Sequence, residues 1–242
     1  MKMLIVEDEE ALAKGLKFNF EQEGFDVSWA GDGTTAMRMF AAANPPIELV
    51  LLDLMLPGMS GYEVCRQMRQ QDPRVSILVL SARTLSEDRA MAFDCGTDQY
   101  LSKPFALPEL LTRVRNLIER RRSLFSPTDA PKPTEPSLLS IGEGVTVDFE
   151  RFELCVRGAT QTLTTMELQL LRYFFQHEDK VLSRTQIMQD VWGDTAGFGS
   201  RTIDNFVLRL RKLIEPDPTN PRHFLSVRGT GYRFVSQPAK EE

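Results

Sequence analysis

With 242 residues, 42% of them hydrophobic and 26% charged, the chain has the composition of a globular protein of one large domain or two ordinary ones. Its net charge of −5, averaged over the chain, argues against a polyanionic partner, and no apolar run reaches the length of a membrane span, so no membrane partner is expected. The opening apolar stretch meets the carboxylates Glu7, Asp8, Glu9 and Glu10 where a signal peptide would stay apolar, so a cytoplasmic protein is expected. Cys65, Cys95 and Cys155 are odd in number and form no CxxC pair, which argues against a disulfide framework or a zinc site.

In chain order, short apolar strands are predicted at 3–6, 26–30, 48–52, 77–81 and 99–101. Amphipathic helices alternate with them at about 10–23, 33–42, 60–71, 86–95 and 108–121. Such alternation predicts an α/β domain over 1–122, a parallel sheet with helices on both faces. Residues 123–137, SLFSPTDAPKPTEPS, carry four prolines and read as an extended linker. The second domain, 138–238, opens with short strands at 138–141, 145–148, 153–156 and 161–163. A helix capped by Thr164 or Thr165 runs to about 177, and a second spans 183–191. A Gly-rich loop at 193–199 precedes a third helix from Ser200, and strands at 224–227 and 232–235 flank a turn that displays Arg228.

The strand ends carry the chemistry. Strand one stops at Glu7-Asp8, strand three at Asp53, strand four at Ser81 and strand five at Ser102-Lys103-Pro104. A lone Asp after a strand is often no more than a helix cap. Ligands of open α/β sheets nevertheless gather at the carboxyl ends of strands, where all these groups converge. Carboxylates so close need a shared cation, and a hard ion such as Mg²⁺ suits oxygen ligands. Lys103 offers a fixed positive charge to a phosphoryl group and Ser81 a hydroxyl, so the Asp53 carboxylate is a candidate nucleophile toward phosphorus.

The segments LIVEDE, LLDLMLPGMSG, LVLSAR and DQYLSKPF, in that order and spacing, resemble the receiver domain of two-component response regulators. The resemblance implies a flavodoxin-like fold of strand order 2-1-3-4-5. It further implies Asp53 as phosphoacceptor from a sensor histidine kinase, and Mg²⁺ held by Glu7, Asp8, Asp53 and the backbone carbonyl of Met55. Ser81 and Tyr100 match the family's switch pair, and Lys103-Pro104 the place of its cis peptide bond. Phosphatases of the haloacid-dehalogenase type also use an Asp nucleophile, but they carry a second Asp two residues on as general acid. Met55 stands there, so turnover of external esters is not expected.

Between Ser200 and Pro238 seven basic residues face three acidic ones, so the tail is locally positive despite the overall charge. In the third helix Ile203, Val207, Leu210 and Ile214 recur at i, i+4, i+7 and i+11 and mark its core side. Thr202, Asn205, Phe206, Arg209 and Lys212 are then expected to face outward. TMELQLL, SRTIDNFVLRLRKL and SVRGTGYRF resemble the winged helix-turn-helix effector domain of the OmpR/PhoB subfamily, an α+β fold. This resemblance implies binding of double-stranded DNA at direct-repeat sites, with the third helix in the major groove and Arg228 at the minor groove. Arg201, Thr202, Arg211 and Lys212 would grip phosphates, while Asn205 and Arg209 would read bases. Phe206 stands where the family often has His, and Leu208 where a basic residue is frequent.

The subfamily also pairs phosphorylated receivers into a homodimer through matched charges. Arg89 with Glu109 and Asp98 with Arg120 fit two such pairs; the third leaves Arg113 facing Gln99 in place of an acidic residue, which predicts a weaker dimer. The sequence thus reads as a phosphorylation-activated transcriptional regulator that contacts a histidine kinase, DNA and RNA polymerase. The alternative is a phosphorylation-independent DNA-binding or interaction protein on the same fold.

Overall fold

The structure, a computed structural model, describes residues 1–125, 138–142, 144–193 and 201–238. It divides into two compact units, 1–118 and 119–242.

The first unit alternates β1 (Lys2–Val6), α1 (Glu10–Gln22), β2 (Asp26–Ala30), α2 (Gly33–Ala42), β3 (Leu49–Asp53), α3 (Gly61–Gln71), β4 (Ser76–Ser81), α4 (Ser86–Asp94), β5 (Gln99–Ser102) and α5 (Leu107–Phe125). The five strands form one parallel sheet in the order β2-β1-β3-β4-β5. Every residue of β3 is buried, as a central strand covered on both faces requires. One core layer joins Ile5, Leu51, Leu80 and Leu101 of the sheet to Leu16 and Phe20 of α1 and Leu110 and Val114 of α5. Strand order reverses between β1 and β3, and that switch point opens a crevice at their carboxyl ends. Residues 7, 8 and 53 stand there for that reason.

Helix α5 continues to Phe125, three residues beyond the receiver boundary read from the sequence. Leu124 and Phe125 carry no helix-breaking feature, whereas Pro127 restricts the backbone of the residue before it. The rest of the expected linker, 126–137, lies outside the described residues.

The second unit opens with an antiparallel sheet, β6 (Leu138–Ser140), β7 (Val145–Asp148), β8 (Glu153–Val156) and β9 (Ala159–Thr162), in sequence order. Helix α6 (Thr165–Gln176) starts on a full capping box, with Thr164 and Glu167 satisfying each other's backbone amides. The short helix α7 (Arg184–Ile187) continues as a π-helical turn, Met188–Trp192. The Gly-rich loop beyond Gly193 lies outside the described residues. Helix α8 (Arg201–Ile214) and the hairpin of β11 (Phe224–Val227) and β12 (Gly231–Phe234) complete the unit. The sequence reading lacked β10 (Val181–Ser183), a short strand that pairs antiparallel with β12 and makes the hairpin three-stranded. Phe174, Phe224 and Phe234 stack edge to face or tilted at 5.0–6.0 Å and anchor α6 on that sheet.

Candidate functional sites: a phosphoryl pocket and a recognition helix

The acidic pocket is assembled by the sheet edge. Glu7 and Asp8 follow β1, Asp53 ends β3, and a ligand oxygen from each lies within 4.8 Å of the other two. Glu7 and Asp53 are buried, while Asp8 is exposed. Lys103 enters from β5 and donates from Nζ to both Glu7 oxygens, at 2.9 and 2.7 Å, and to Asp53 Oδ2. Burial pushes the Glu7 carboxyl above its ordinary range against the pull of Lys103. Burial opposes the Lys103 ammonium, but hydrogen bonds to Asp53 and Glu7 outweigh it and hold that amine above its usual value. Buried carboxylates with one shared amine form a cation-demanding cluster of oxygen donors, which fits a hard divalent ion such as Mg²⁺.

Local chain geometry aims the nucleophile. The Met55 amide donates to Asp53 Oδ1 at 2.8 Å. The loop then folds back so tightly that a Cβ on Gly61 would sit 2.1 Å from the Asp53 carbonyl oxygen, which only glycine allows. Met55 itself is 54% exposed at the rim. The Trp29 indole donates to the Glu7 carbonyl at 2.9 Å, a support for the pocket that no local motif signals.

Ser81 is fully buried, and its Oγ accepts from the Arg83 amide at 3.2 Å. The Tyr100 hydroxyl donates to the Arg83 carbonyl, so both expected switch residues converge on the turn after β4. Burial pushes the Tyr100 phenol up, with Ser81 pulling the other way. Arg83 pairs with Asp88 at 2.8 Å, and the Tyr62 hydroxyl lies 3.4 Å from the same carboxylate, a link between the turn, α3 and α4 that the sequence reading did not find. The Lys103-Pro104 bond is cis, and so is Asn44-Pro45.

The charge pairs expected across a dimer are employed differently. Asp98 is 1% exposed; it bonds the Arg69 guanidinium of α3 and accepts from the Ile77 amide at 2.8 Å. Gln99 is buried in β5, and neither polar atom of its side chain has a hydrogen-bond partner among the described residues. Residue 98, just before β5, and residue 99, its first residue, are thus both taken inward. Glu109 accepts from buried Arg113 at 2.7 Å one turn along α5. Arg89 donates to Ser102 Oγ at 3.2 Å and lies 5.7 Å over the Tyr100 ring. The Arg120 side chain lies outside the described residues. Asp98 and Gln99, expected to face Arg120 and Arg113 across a dimer, are instead buried within the receiver.

In the second unit the core stripe of α8 is as predicted, with Ile203, Val207, Leu210 and Ile214 buried. The buried face is wider than that stripe, however. Phe206 is 3% exposed and packs on Trp192 with ring centroids 5.0 Å apart, and Thr202 is buried too. Both were expected to face outward; Trp192 of the π-helical turn covers Phe206 and makes it core. Arg209 forms an ion pair with Glu167, which is 2% exposed, so it clamps α8 to the first turn of α6. Arg211 donates to the Phe224 carbonyl and to Ser226 Oγ, which ties α8 to β11. Asp204 accepts from Arg184 at 2.7 Å and from the Tyr232 hydroxyl at 2.6 Å. Asn205 is half-buried, Lys212 and Arg228 are exposed, and Leu208 is 43% exposed. The side chain of Arg201 lies outside the described residues.

Residues 3–115 match the family description "Response regulator receiver domain", and residues 158–234 match "Transcriptional regulatory protein, C terminal". The chain is 38% identical over 232 residues to the sensory transduction protein RegX3 of Mycolicibacterium smegmatis, covering 96% of this chain and 98% of that protein. It is 36% identical over 240 residues to the alkaline phosphatase synthesis transcriptional regulatory protein SphR of Synechococcus elongatus, covering 96% and 90%. A solved mutant of RitR superimposes with a TM-score of 0.72 at 20% identity over 97% of this chain and 99% of that one, a likeness of fold. With both units matched and relatives aligned over nearly the full length, the chain belongs to the response regulators of the OmpR/PhoB type, a receiver domain followed by a winged-helix transcriptional regulatory domain.

Proposed function

We propose that Asp53 accepts a phosphoryl group from a sensor histidine kinase and that the resulting acyl phosphate switches the chain's action on DNA. The observation that carries this reading is the union of Glu7, Asp8, Asp53 and Lys103 in one pocket at the switch point of the sheet. The bond from phosphorus to the kinase histidine breaks as the bond to a carboxylate oxygen of Asp53 forms. With Oδ1 held by the Met55 amide, the second oxygen has to leave Lys103 to attack. Lys103 then neutralises a phosphoryl oxygen, and the Ser81 hydroxyl donates to another. A Mg²⁺ ion held by Glu7, Asp8, Asp53 and the Met55 carbonyl would supply the charge that brings the phosphate oxyanions to a carboxylate.

The turn after β4 is the reading's route out of the pocket. Ser81 and Tyr100 both bond backbone atoms of Arg83, so movement of Ser81 toward a phosphoryl oxygen changes what holds Tyr100. The same reading pairs two phosphorylated receivers, brings two effector domains to direct-repeat sites, and places the protein in the cytoplasm with RNA polymerase as a further partner. It includes no turnover of external phosphate esters, because Met55 offers no general acid beside Asp53.

Incubation with acetyl phosphate and Mg²⁺ is expected to add the mass of one phosphoryl group, and Asp53→Ala to add none. Lys103→Ala is expected to uncouple phosphorylation from DNA binding. Undiminished uptake by Asp53→Ala overturns the site. DNA binding that is the same for wild type, phosphorylated wild type and Asp53→Ala would favour the phosphorylation-independent alternative.

A further inference from the structure

One stripe of α8 is left over when its internal contacts are assigned. Positions 201, 205, 208 and 212 recur at i, i+4, i+7 and i+11 and so share a face. Of the neighbouring polar residues, Asp204, Arg209 and Arg211 are engaged inside the unit with Tyr232, Glu167 and Phe224. Asn205, Leu208 and Lys212 are not drawn into such contacts among the described residues. Leu208 stands in the middle of this polar stripe as a branched aliphatic side chain, 43% exposed. A single exposed leucine is ordinary. This one is unusual in its setting: it lies between an amide and an ammonium, on the helix that a DNA-binding effector domain presents to its target.

We propose that Leu208 is a specificity residue that reads the C5-methyl group of a thymine in the major groove, close to an adenine held by Asn205. This rests on the reading of the second unit as a DNA-binding domain. The major groove offers one apolar group, the thymine methyl, and an asparagine amide matches the N6 and N7 edge of adenine. Side chains three apart on a helix have Cβ atoms about 5–6 Å from each other, which spans one to two base steps of about 3.4 Å. Asn205 and Leu208 therefore read neighbouring base pairs. With Arg209 held by Glu167, the bidentate guanine contact that an arginine at that place could offer is withdrawn, so the half-site is read as A·T pairs by an amide and a methyl contact.

The test selects half-sites for the full-length, beryllofluoride-activated protein from a randomised duplex pool. Each thymine of the enriched site is then replaced in turn by deoxyuridine, which removes the methyl group alone. Wild type is expected to lose about fourfold in affinity at one thymine per half-site, the effect of one buried methyl group. Leu208→Ala, a change at an exposed position that should leave the melting temperature in place, is expected to bind the thymine site more weakly and to be indifferent to uracil there. Indifference of wild type to every uracil, or an equal uracil penalty in Leu208→Ala, overturns the assignment while DNA binding stands. Failure to enrich any duplex overturns the DNA-binding reading and the role of Leu208 with it.

Discussion

At the scale of single residues, the arginines of α8 divide by partner and not by spacing. Arg209 neutralises a carboxylate that is 2% exposed. Removing one member of a buried pair costs about 3–5 kcal/mol, because the remaining charge keeps its burial and loses its partner. Arg209 is partly exposed, which places its truncation toward the lower end of that range. Arg209→Ala is therefore expected to lower stability by about 3 kcal/mol in urea unfolding. Lys212 is exposed, and Lys212→Ala should leave the urea midpoint unchanged. It should instead flatten the salt dependence of DNA binding by roughly 0.9 in the log-log slope, one phosphate contact. A stability loss in Lys212→Ala, or none in Arg209→Ala, would reverse this division.

Between elements, hydroxyl and carboxylate partners set how the second unit responds to alkali. Tyr232 on β12 is buried and donates to Asp204 of α8. Burial first and then the Asp204 carboxylate push its phenol from 10.0 up to about 12. The folded state thus keeps a proton that the unfolded chain releases near pH 10. Stability from this group is complete below pH 10 and is lost as pH rises through about 12. Melting curves across that window should fall steeply for wild type and less so for Tyr232→Phe; parallel curves would separate the hairpin from this linkage. In the receiver, the Asp98 and Arg69 pair ties α3 to the residue before β5 through two side chains that are almost fully buried.

Over the whole molecule, two units with separate cores imply two unfolding events and not one. On the proposed function, a phosphoryl mimic with Mg²⁺ binds in the first unit only, at Asp53 and the residues around it. Beryllofluoride at a hundredfold its dissociation constant should stabilise the first unit by about 2.7 kcal/mol. Calorimetry is expected to show one transition moving up while the other stays, and Asp53→Ala should show neither moving. A joint shift of both transitions would mean that the units unfold as one.

The sequence by itself determined the periodicities and the chemistry at the strand ends. Alternating apolar strands and amphipathic helices foretold a parallel sheet with helices on both faces, because burial on both faces leaves its mark residue by residue; the order of its strands was implied by the resemblance to receiver domains. Glu7, Asp8, Asp53, Ser81 and Lys103 were legible for the same reason, since each directly follows or ends a strand. The capping box that buries Glu167 was also written locally, in Thr164 and the Glu three residues on. Only the tertiary structure decided which polar residues turn inward. A helix shows its apolar stripe in sequence, but not that Trp192 of the π-helical turn covers Phe206 and takes it into the core. Nor does spacing show that Asp98 finds Arg69, that Trp29 braces Glu7, or that Arg209 finds Glu167. Those partners are far apart in the chain, and their meeting depends on how whole elements pack, which local patterns of hydrophobicity do not encode.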